Sequence, residues 1–179
     1  NVDRYGIIVL NRKDKGTFEK VDQLTEEGIT NGLIRVIKGT KKKVYFTKGH
    51  GEPSLDAPKN EKNGYSALKE ELESYNYEAK DIELFNAGKV PDDCSILFIS
   101  GPQTDVFDRE IKILQEYIKR GGKIIISYVP MVATPNLDNL LKSMGAIIHN
   151  DIVVDKLGTM FGGDVLMPII STFEQHEIT

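Results

Sequence analysis

Ser95-Ile-Leu-Phe-Ile-Ser100 is an unbroken apolar run that ends at Gly101. Strands covered by helices on both faces, as in parallel sheets, have this continuous apolar composition, whereas half-exposed strands alternate. A helical pattern follows and ends at Gly121-Gly122, before a second apolar run from Lys123 to Ser127. This order of strand, helix and strand predicts a parallel sheet. The buried face of the helix is predicted to consist of Phe107, Ile111, Leu114 and Ile118.

The same alternation extends to both sides of this unit. Upstream, Val44-Tyr-Phe-Thr47 reads as a strand, a helix begins near Gly64, and Tyr77 to Leu84 alternates like a second strand. Downstream, a helical pattern runs from Asn136 to Met144. Strands alternating with helices are typical of an α/β, doubly wound sheet.

The first 40 residues form a segment of a different kind. Tyr5 to Asn11 reads as a strand without an evident partner, which leaves pairing with a second copy of the chain open. Thr25 to Lys38 reads as a helix closed by Gly39. We expect residues 1–40 to pack on a main α/β domain of residues 41–179.

Charge and cysteine content exclude several classes of protein. The net charge is −4 and basic residues are mixed with acidic ones, so nucleic acid is not an expected partner. A single cysteine, Cys94, permits no internal disulfide and no thiolate metal cluster. Cysteine scarcity fits the cytosol and the periplasm equally well.

The chain contains no run of about 20 apolar residues and no signal-peptide pattern. It starts at Asn1 without a methionine and stops after Phe173-Glu-Gln-His-Glu-Ile-Thr179 without a cap or a polar tail. We therefore expect this sequence to be part of a longer polypeptide.

In a doubly wound sheet, ligands meet the loops at the carboxyl ends of the strands. Here those loops are residues 49–53, 101–105 and 129–134. Glycines permit sharp turns in the first two loops, and their polar side chains face the expected crevice. The candidate binding residues are His50, Gly51, Glu52, Gln103, Thr104 and Asp105.

Two interpretations of His50 and Glu52 remain open. They could form an acid/base pair in a cleft, or the glycines could make the turn while His50 bonds to the backbone. Asp105 could likewise bind a ligand, or it or Asp108 could cap the following helix.

Other catalytic and cofactor patterns are missing. Cys94 precedes a strand, whereas a nucleophile elbow follows one, and no Gly-x-Ser-x-Gly pattern occurs. His149 and His176 are far in sequence from His50, so no metal-ligand spacing is present. Gly49-x-Gly51 lacks the third glycine of a dinucleotide fingerprint. The sequence predicts no metal and no cofactor.

Several phrases together resemble the gliding-motility auxiliary components of ABC transporters, the uncharacterised ABC-type transport-system family. The resemblance spans the chain from about Leu24 to the closing His176-Glu-Ile-Thr179. The ordered set is more specific than any single motif. It comprises Leu24-Thr-Glu-Glu-Gly-Ile-Thr-Asn-Gly-Leu33, Val44-Tyr-Phe-Thr-Lys-Gly-His-Gly-Glu52, Pro91-Asp-Asp-Cys-Ser-Ile-Leu-Phe-Ile-Ser-Gly-Pro-Gln-Thr-Asp105 and Gly121-Gly-Lys123.

The resemblance implies a flavodoxin-like three-layer sandwich with a mostly parallel sheet, similar to class I glutamine amidotransferases. It also implies a domain on the extracytoplasmic (periplasmic) face of the bacterial inner membrane, anchored by helices outside this sequence. Its implied partners are a permease and an ATPase, or a related auxiliary protein. Enzymes of this fold need a cysteine on an elbow after a strand, and neither 101–103 nor 129–133 holds one.

We therefore expect a non-catalytic domain that recognises a ligand or a partner. The alternative is a hydrolase or transferase of amidotransferase-like fold that uses His50 and Glu52. A nucleotide or flavin binder would need a phosphate loop that the sequence lacks. The transported substrate, the oligomeric state and the surface that meets the transporter stay open.

Overall fold

The computed structural model describes residues 6–39, 41–58, 61, 64–149, 151–152, 154, 166 and 174–175. Tyr5 and the closing His176-Glu-Ile-Thr179 lie outside these residues. In chain order the elements are β1 Ile8–Arg12, β2 Thr17–Val21, α1 Glu26–Lys38, β3 Lys42–Thr47, α2 Ser66–Ser74, β4 Tyr77–Ile82, α3 Leu84–Ala87, β5 Cys94–Ser100, α4 Asp108–Lys119, β6 Ile124–Ser127 and α5 Pro135–Ser143.

The main sheet is parallel throughout and has the strand order β4-β3-β5-β6. From β3 the chain moves outward to β4, then returns past β3 to form β5 on the other side. The strand order therefore reverses between β3 and β5. In open α/β sheets, the crevice outside the carboxyl ends of two such strands is the usual ligand site.

Helices cover both faces of this sheet, and alternate residues of each strand point to opposite faces. Leu97 and Ile99 of β5 pack with α4 and α5, whereas Ile96 and Phe98 pack with α2. β5 thus contributes apolar side chains to the core on both faces of the sheet. This arrangement confirms the α/β, flavodoxin-like three-layer sandwich that the sequence predicts.

The buried face of α4 agrees with the predicted one except at its start. Leu114 is fully buried, and Ile111 and Ile118 are partly buried against the core, as predicted. Phe107 instead lies just before the helix and is 56% exposed. The other buried residues of α4 are Glu110, Ile113 and Tyr117. Residue spacing therefore identified the helix and the side that faces the core, but not the exposed position of Phe107, because apolar side chains also occur on exposed surfaces.

The N-terminal strand has a partner that the sequence pattern did not reveal. β1 pairs antiparallel with β2, from Ile8 opposite Val21 to Arg12 opposite Thr17. β2 was missed because its two apolar residues, Phe18 and Val21, are three positions apart, which does not fit the period of two that marks a strand. Helix α1 is capped as predicted by the Thr25 hydroxyl, which accepts from the Gly28 N–H. The division of the chain near residue 40 stays a prediction.

Candidate functional site

The loop after β3 sends its side chains to opposite faces of the sheet. Gly49 and Gly51 have φ angles of 122° and 83°, values that residues with a Cβ rarely adopt. His50, between them, turns toward α4, and Glu52 turns toward α2. The two residues predicted as an acid/base pair are therefore separated by the sheet edge.

The His50 side chain is buried in a polar network. Its Nε2 lies 2.7 Å from Oε2 of Glu110, and the two side chains are only 5% and 3% exposed. Glu110 also accepts hydrogen bonds from the backbone N–H groups of Phe85, at 3.1 Å, and Phe107, at 3.0 Å. The Phe107 ring packs edge-on against the imidazole. The Glu110 carboxylate thus bonds the imidazole and two backbone N–H groups at once, which is the geometry of a structural support.

The backbone of His50 fixes the neighbouring loop as well. Its carbonyl oxygen accepts the N–H groups of Gln103, at 2.7 Å, and Thr104, at 3.2 Å. Gly101, with a φ of 60°, donates its N–H to the carbonyl of Ser127 at the end of β6. The carboxyl ends of β3, β5 and β6 are thus tied together by backbone hydrogen bonds.

A cavity of about 730 Å³ opens between these loops on the α2 side of the sheet. This volume lies within the range of about 300–1,000 Å³ typical of small-molecule sites. The cavity sits where the strand order reverses, which is the position expected for a ligand in this fold. Its lining includes Gly51, Glu52, Glu61, Tyr65, Ser100, Gln103, Ser127 and Tyr128.

Three residues that line the cavity carry a buried polar atom with no hydrogen-bond partner: Glu52 at Oε1, Ser100 at Oγ and Tyr128 at its hydroxyl. The other carboxylate oxygen of Glu52 accepts the His50 N–H at 2.7 Å, and Ser100 is 1% exposed. A buried polar group without a partner costs about 1–3 kcal/mol. A bound ligand that supplies hydrogen bonds here would remove that cost.

Replacing Ser100 with Ala tests whether this hydroxyl has a structural role. Because it has no partner, we expect the free energy of unfolding to stay within about 0.5 kcal/mol of wild type or to rise, since a hydroxyl leaves an apolar environment. Urea denaturation measures this. A loss of more than about 1.5 kcal/mol would show that Ser100 makes a stabilising hydrogen bond.

Five of the six predicted site residues lie in three different environments. Gly51, Glu52 and Gln103 line the cavity, while the His50 side chain lies in the core. Thr104 is exposed and does not belong to the lining.

Asp105 serves a different helix from the one expected. Its carboxylate accepts the N–H of Asn136, at 3.0 Å from Oδ2, and so bonds the first turn of α5. Its Oδ1 also accepts the N–H of Val106. At the start of α4, Glu110 instead accepts the N–H of Phe107. Asp105 therefore holds α5 against the loop after β5, which is a positioning role.

Sequence reasoning missed four residues of the site and its support. Ser100 and Ser127 end their strands, and strand ends next to a switch point are a usable signal. Glu110 lies at helical spacing with the buried Ile113 and Leu114, which marks it as facing the core. Tyr65 lies just before α2, packs against the core and also lines the cavity.

Cys94 lies at the start of β5, at the opposite end of that strand from the cavity. Its Sγ is 3.4 Å from the hydroxyl of Tyr117, and burial raises the pKa of the thiol. Burial also raises the pKa of Tyr117 to about 12. A smaller thiolate fraction lowers the reactivity of a cysteine.

We therefore expect Cys94 to react slowly with Ellman's reagent. At pH 8 the folded chain should react at least about tenfold more slowly than the chain in urea, because the thiolate is both scarcer and less accessible. The absorbance of the released thionitrobenzoate measures both rates. Equal rates would contradict the buried position of the thiol.

A family model described as ABC-type uncharacterized transport system matches residues 41–161 of the chain. The match begins one residue before β3 and contains the parallel sheet, the helices that cover it and the loops around the cavity. No curated protein matches the chain. Within the described residues, no helix combines the length and apolar character that crossing a membrane requires.

Proposed function

Since this chain belongs to the family of ABC-type uncharacterized transport systems, we propose that it is a non-catalytic auxiliary component of such a system, acting in ligand or partner recognition. The family supports the association with transport. The recognition role rests on the cavity at the carboxyl ends of β3, β5 and β6.

One observation carries the recognition role. Three residues that line the cavity carry a buried polar atom without a partner: Glu52 at Oε1, Ser100 at Oγ and Tyr128 at its hydroxyl. Buried polar atoms are nearly always hydrogen-bonded in folded proteins, so three such atoms around one cavity favour a bound molecule as a partner. The backbone bonds between the three loops keep these atoms in place, as a preorganised binding site requires.

The same geometry favours binding over catalysis. A hydrolase that uses His50 and Glu52 needs the imidazole and the carboxylate in one cleft. The imidazole of His50 instead bonds to the Glu110 carboxylate in the core. The hydrogen bond between His50 and Glu52 comes from the backbone N–H of His50. Ser100 and Ser127 lie in the cavity, and the described lining contains no histidine that could act as a base for them.

The location and partners follow from the resemblance. We place the domain on the periplasmic face of the inner membrane, in a gliding-motility-like auxiliary protein anchored by helices outside this sequence. A permease and an ATPase, or a related auxiliary protein, are the partners.

In spheroplasts that express the natural polypeptide, added protease should digest this domain and spare a cytoplasmic marker. Protection of the domain until the cells are lysed would contradict this location.

A serine-reactive fluorophosphonate probe tests the non-catalytic role. We expect the folded chain to be labelled no faster than the Ser100→Ala and Ser127→Ala variants, because no base in the described lining activates these hydroxyls. Fluorescence after gel electrophoresis measures the labelling. Rapid labelling that disappears in one of the two variants would favour the hydrolase.

A further inference from the structure

The cavity lining has a marked imbalance of charge. Glu52 and Glu61 contribute two carboxylates, and the described lining contains no Lys, Arg or His. Among the described residues, Lys69 Nζ pairs with Asp56 at 2.7 Å and Lys48 Nζ lies 3.6 Å from Glu83 Oε1, so both lysines contact carboxylates outside the lining. The formal charge of the described lining is therefore negative.

The amino-terminal end of α2 reduces this excess without removing it. Tyr65, the residue before the helix, lines the cavity and has no side-chain cap. A helix terminus of this kind acts as roughly half a positive charge. Against the two formal negative charges of the described lining it leaves a net negative charge, which disfavours an anionic ligand.

Glu52 is the residue that specifies the chemistry. One carboxylate oxygen is fixed by the His50 N–H, while Oε1 is buried and has no partner. An ionised carboxylate can only accept hydrogen bonds, and its strongest partners are cationic donors. Ser100 Oγ and the Tyr128 hydroxyl are further unpartnered oxygens on residues of the same lining, and each can accept a hydrogen bond.

An aromatic wall completes the site. The Tyr65 ring lines the cavity and is held edge-on by Phe46 and Phe98, with ring centroids 6.1 Å and 6.4 Å away. A fixed aromatic ring beside a carboxylate suits a cation that carries a short aliphatic chain. The ring supplies apolar surface for the methylene groups, and the carboxylate supplies the charge.

Building on the recognition function proposed above, we infer that this cavity binds a small organic cation with a primary ammonium group. The ammonium donates to Oε1 of Glu52 and to Oγ of Ser100, and the aliphatic chain lies along Tyr65. The cavity volume of about 730 Å³ leaves room for a linear amine together with ordered water.

Calorimetric titration of the 179-residue chain tests the inference with matched probes. Putrescine is compared with 1,4-butanediol, which has the same carbon chain but hydroxyl groups in place of the ammonium groups. Glucose and inorganic phosphate serve as the neutral polyol and the anion. We expect saturable binding of putrescine with a Kd below about 1 mM and no heat of binding for the other three.

The Glu52→Gln variant removes the charge but retains an oxygen for the His50 N–H. It should weaken putrescine binding at least about tenfold, because a charge-assisted hydrogen bond is lost. Glu116→Gln removes the same charge from an exposed site on α4 and should leave the affinity unchanged.

The outcomes separate this inference from the proposed function. Binding of butanediol or glucose that is insensitive to Glu52→Gln would overturn the ammonium specificity and leave recognition standing. Absence of putrescine binding up to about 10 mM would overturn the inference by itself. Recovery of the natural polypeptide with its permease and ATPase does not depend on the cavity ligand, so it tests the transport role separately.

Discussion

Replacing Glu110 with Ala is expected to lower the free energy of unfolding by about 3–5 kcal/mol. The substitution leaves the buried His50 imidazole and the N–H groups of Phe85 and Phe107 without their acceptor. The imidazole cannot turn to water easily, since the His50 side chain is 5% exposed. Such a loss is a large share of the roughly 5–15 kcal/mol by which a folded domain is stable.

Urea denaturation followed by circular dichroism measures this loss. Glu116→Ala is the matched control, because Glu116 is exposed on the same helix, and its variant should stay within about 0.5 kcal/mol of wild type. In a thermal melt the Glu110 variant should unfold about 10 °C lower. A loss below about 1 kcal/mol would mean that His50 is not held by Glu110 and could reach the cavity.

Replacing Gln103 with Trp is expected to weaken putrescine binding at least about a hundredfold, because the indole occupies the ligand's space. Gln103 is exposed and lines the cavity, so a larger side chain can extend into it without entering the core. Its own bond, from Nε2 to the Gly101 carbonyl at 3.2 Å, is a weak one. We therefore expect the folded state to tolerate the change.

Thr104→Trp provides the control for this substitution. Thr104 is the next residue of the same loop, is equally exposed and does not line the cavity. Its variant should bind putrescine within about threefold of wild type. Calorimetric titration measures both affinities, and circular dichroism checks that both variants fold. Equal losses in the two variants would show that the cavity is not the binding site.

Much of the fold follows from the local sequence. The continuous apolar run of β5 correctly indicated a strand buried on both faces, and Thr25 and Gly39 indicated the two ends of α1. The alternation of strands and helices then gave the parallel sheet and the loops at its carboxyl edge. These signals come from neighbouring residues or from a periodic pattern, so they can be read from a single sequence.

The site depends on contacts between distant residues. His50 and Glu110 are 60 positions apart, and no local pattern indicates that they meet in the core. His50 and Glu52 are two positions apart and would share a face in a regular strand, but the positive φ angles of Gly49 and Gly51 break that regularity and the two side chains lie on opposite sides. Sequence reasoning could place the loop at the cavity, but it could not assign a face to each side chain.

Purification of the natural polypeptide from its own membranes tests the central claim most directly. An affinity tag on the polypeptide, mild detergent and quantitative mass spectrometry would measure which proteins accompany it. The claim predicts that the permease and the ATPase of one ABC transporter are recovered with it in a fixed ratio. Recovery without either subunit, although both are present in the same membranes, would contradict its role as an auxiliary transport component.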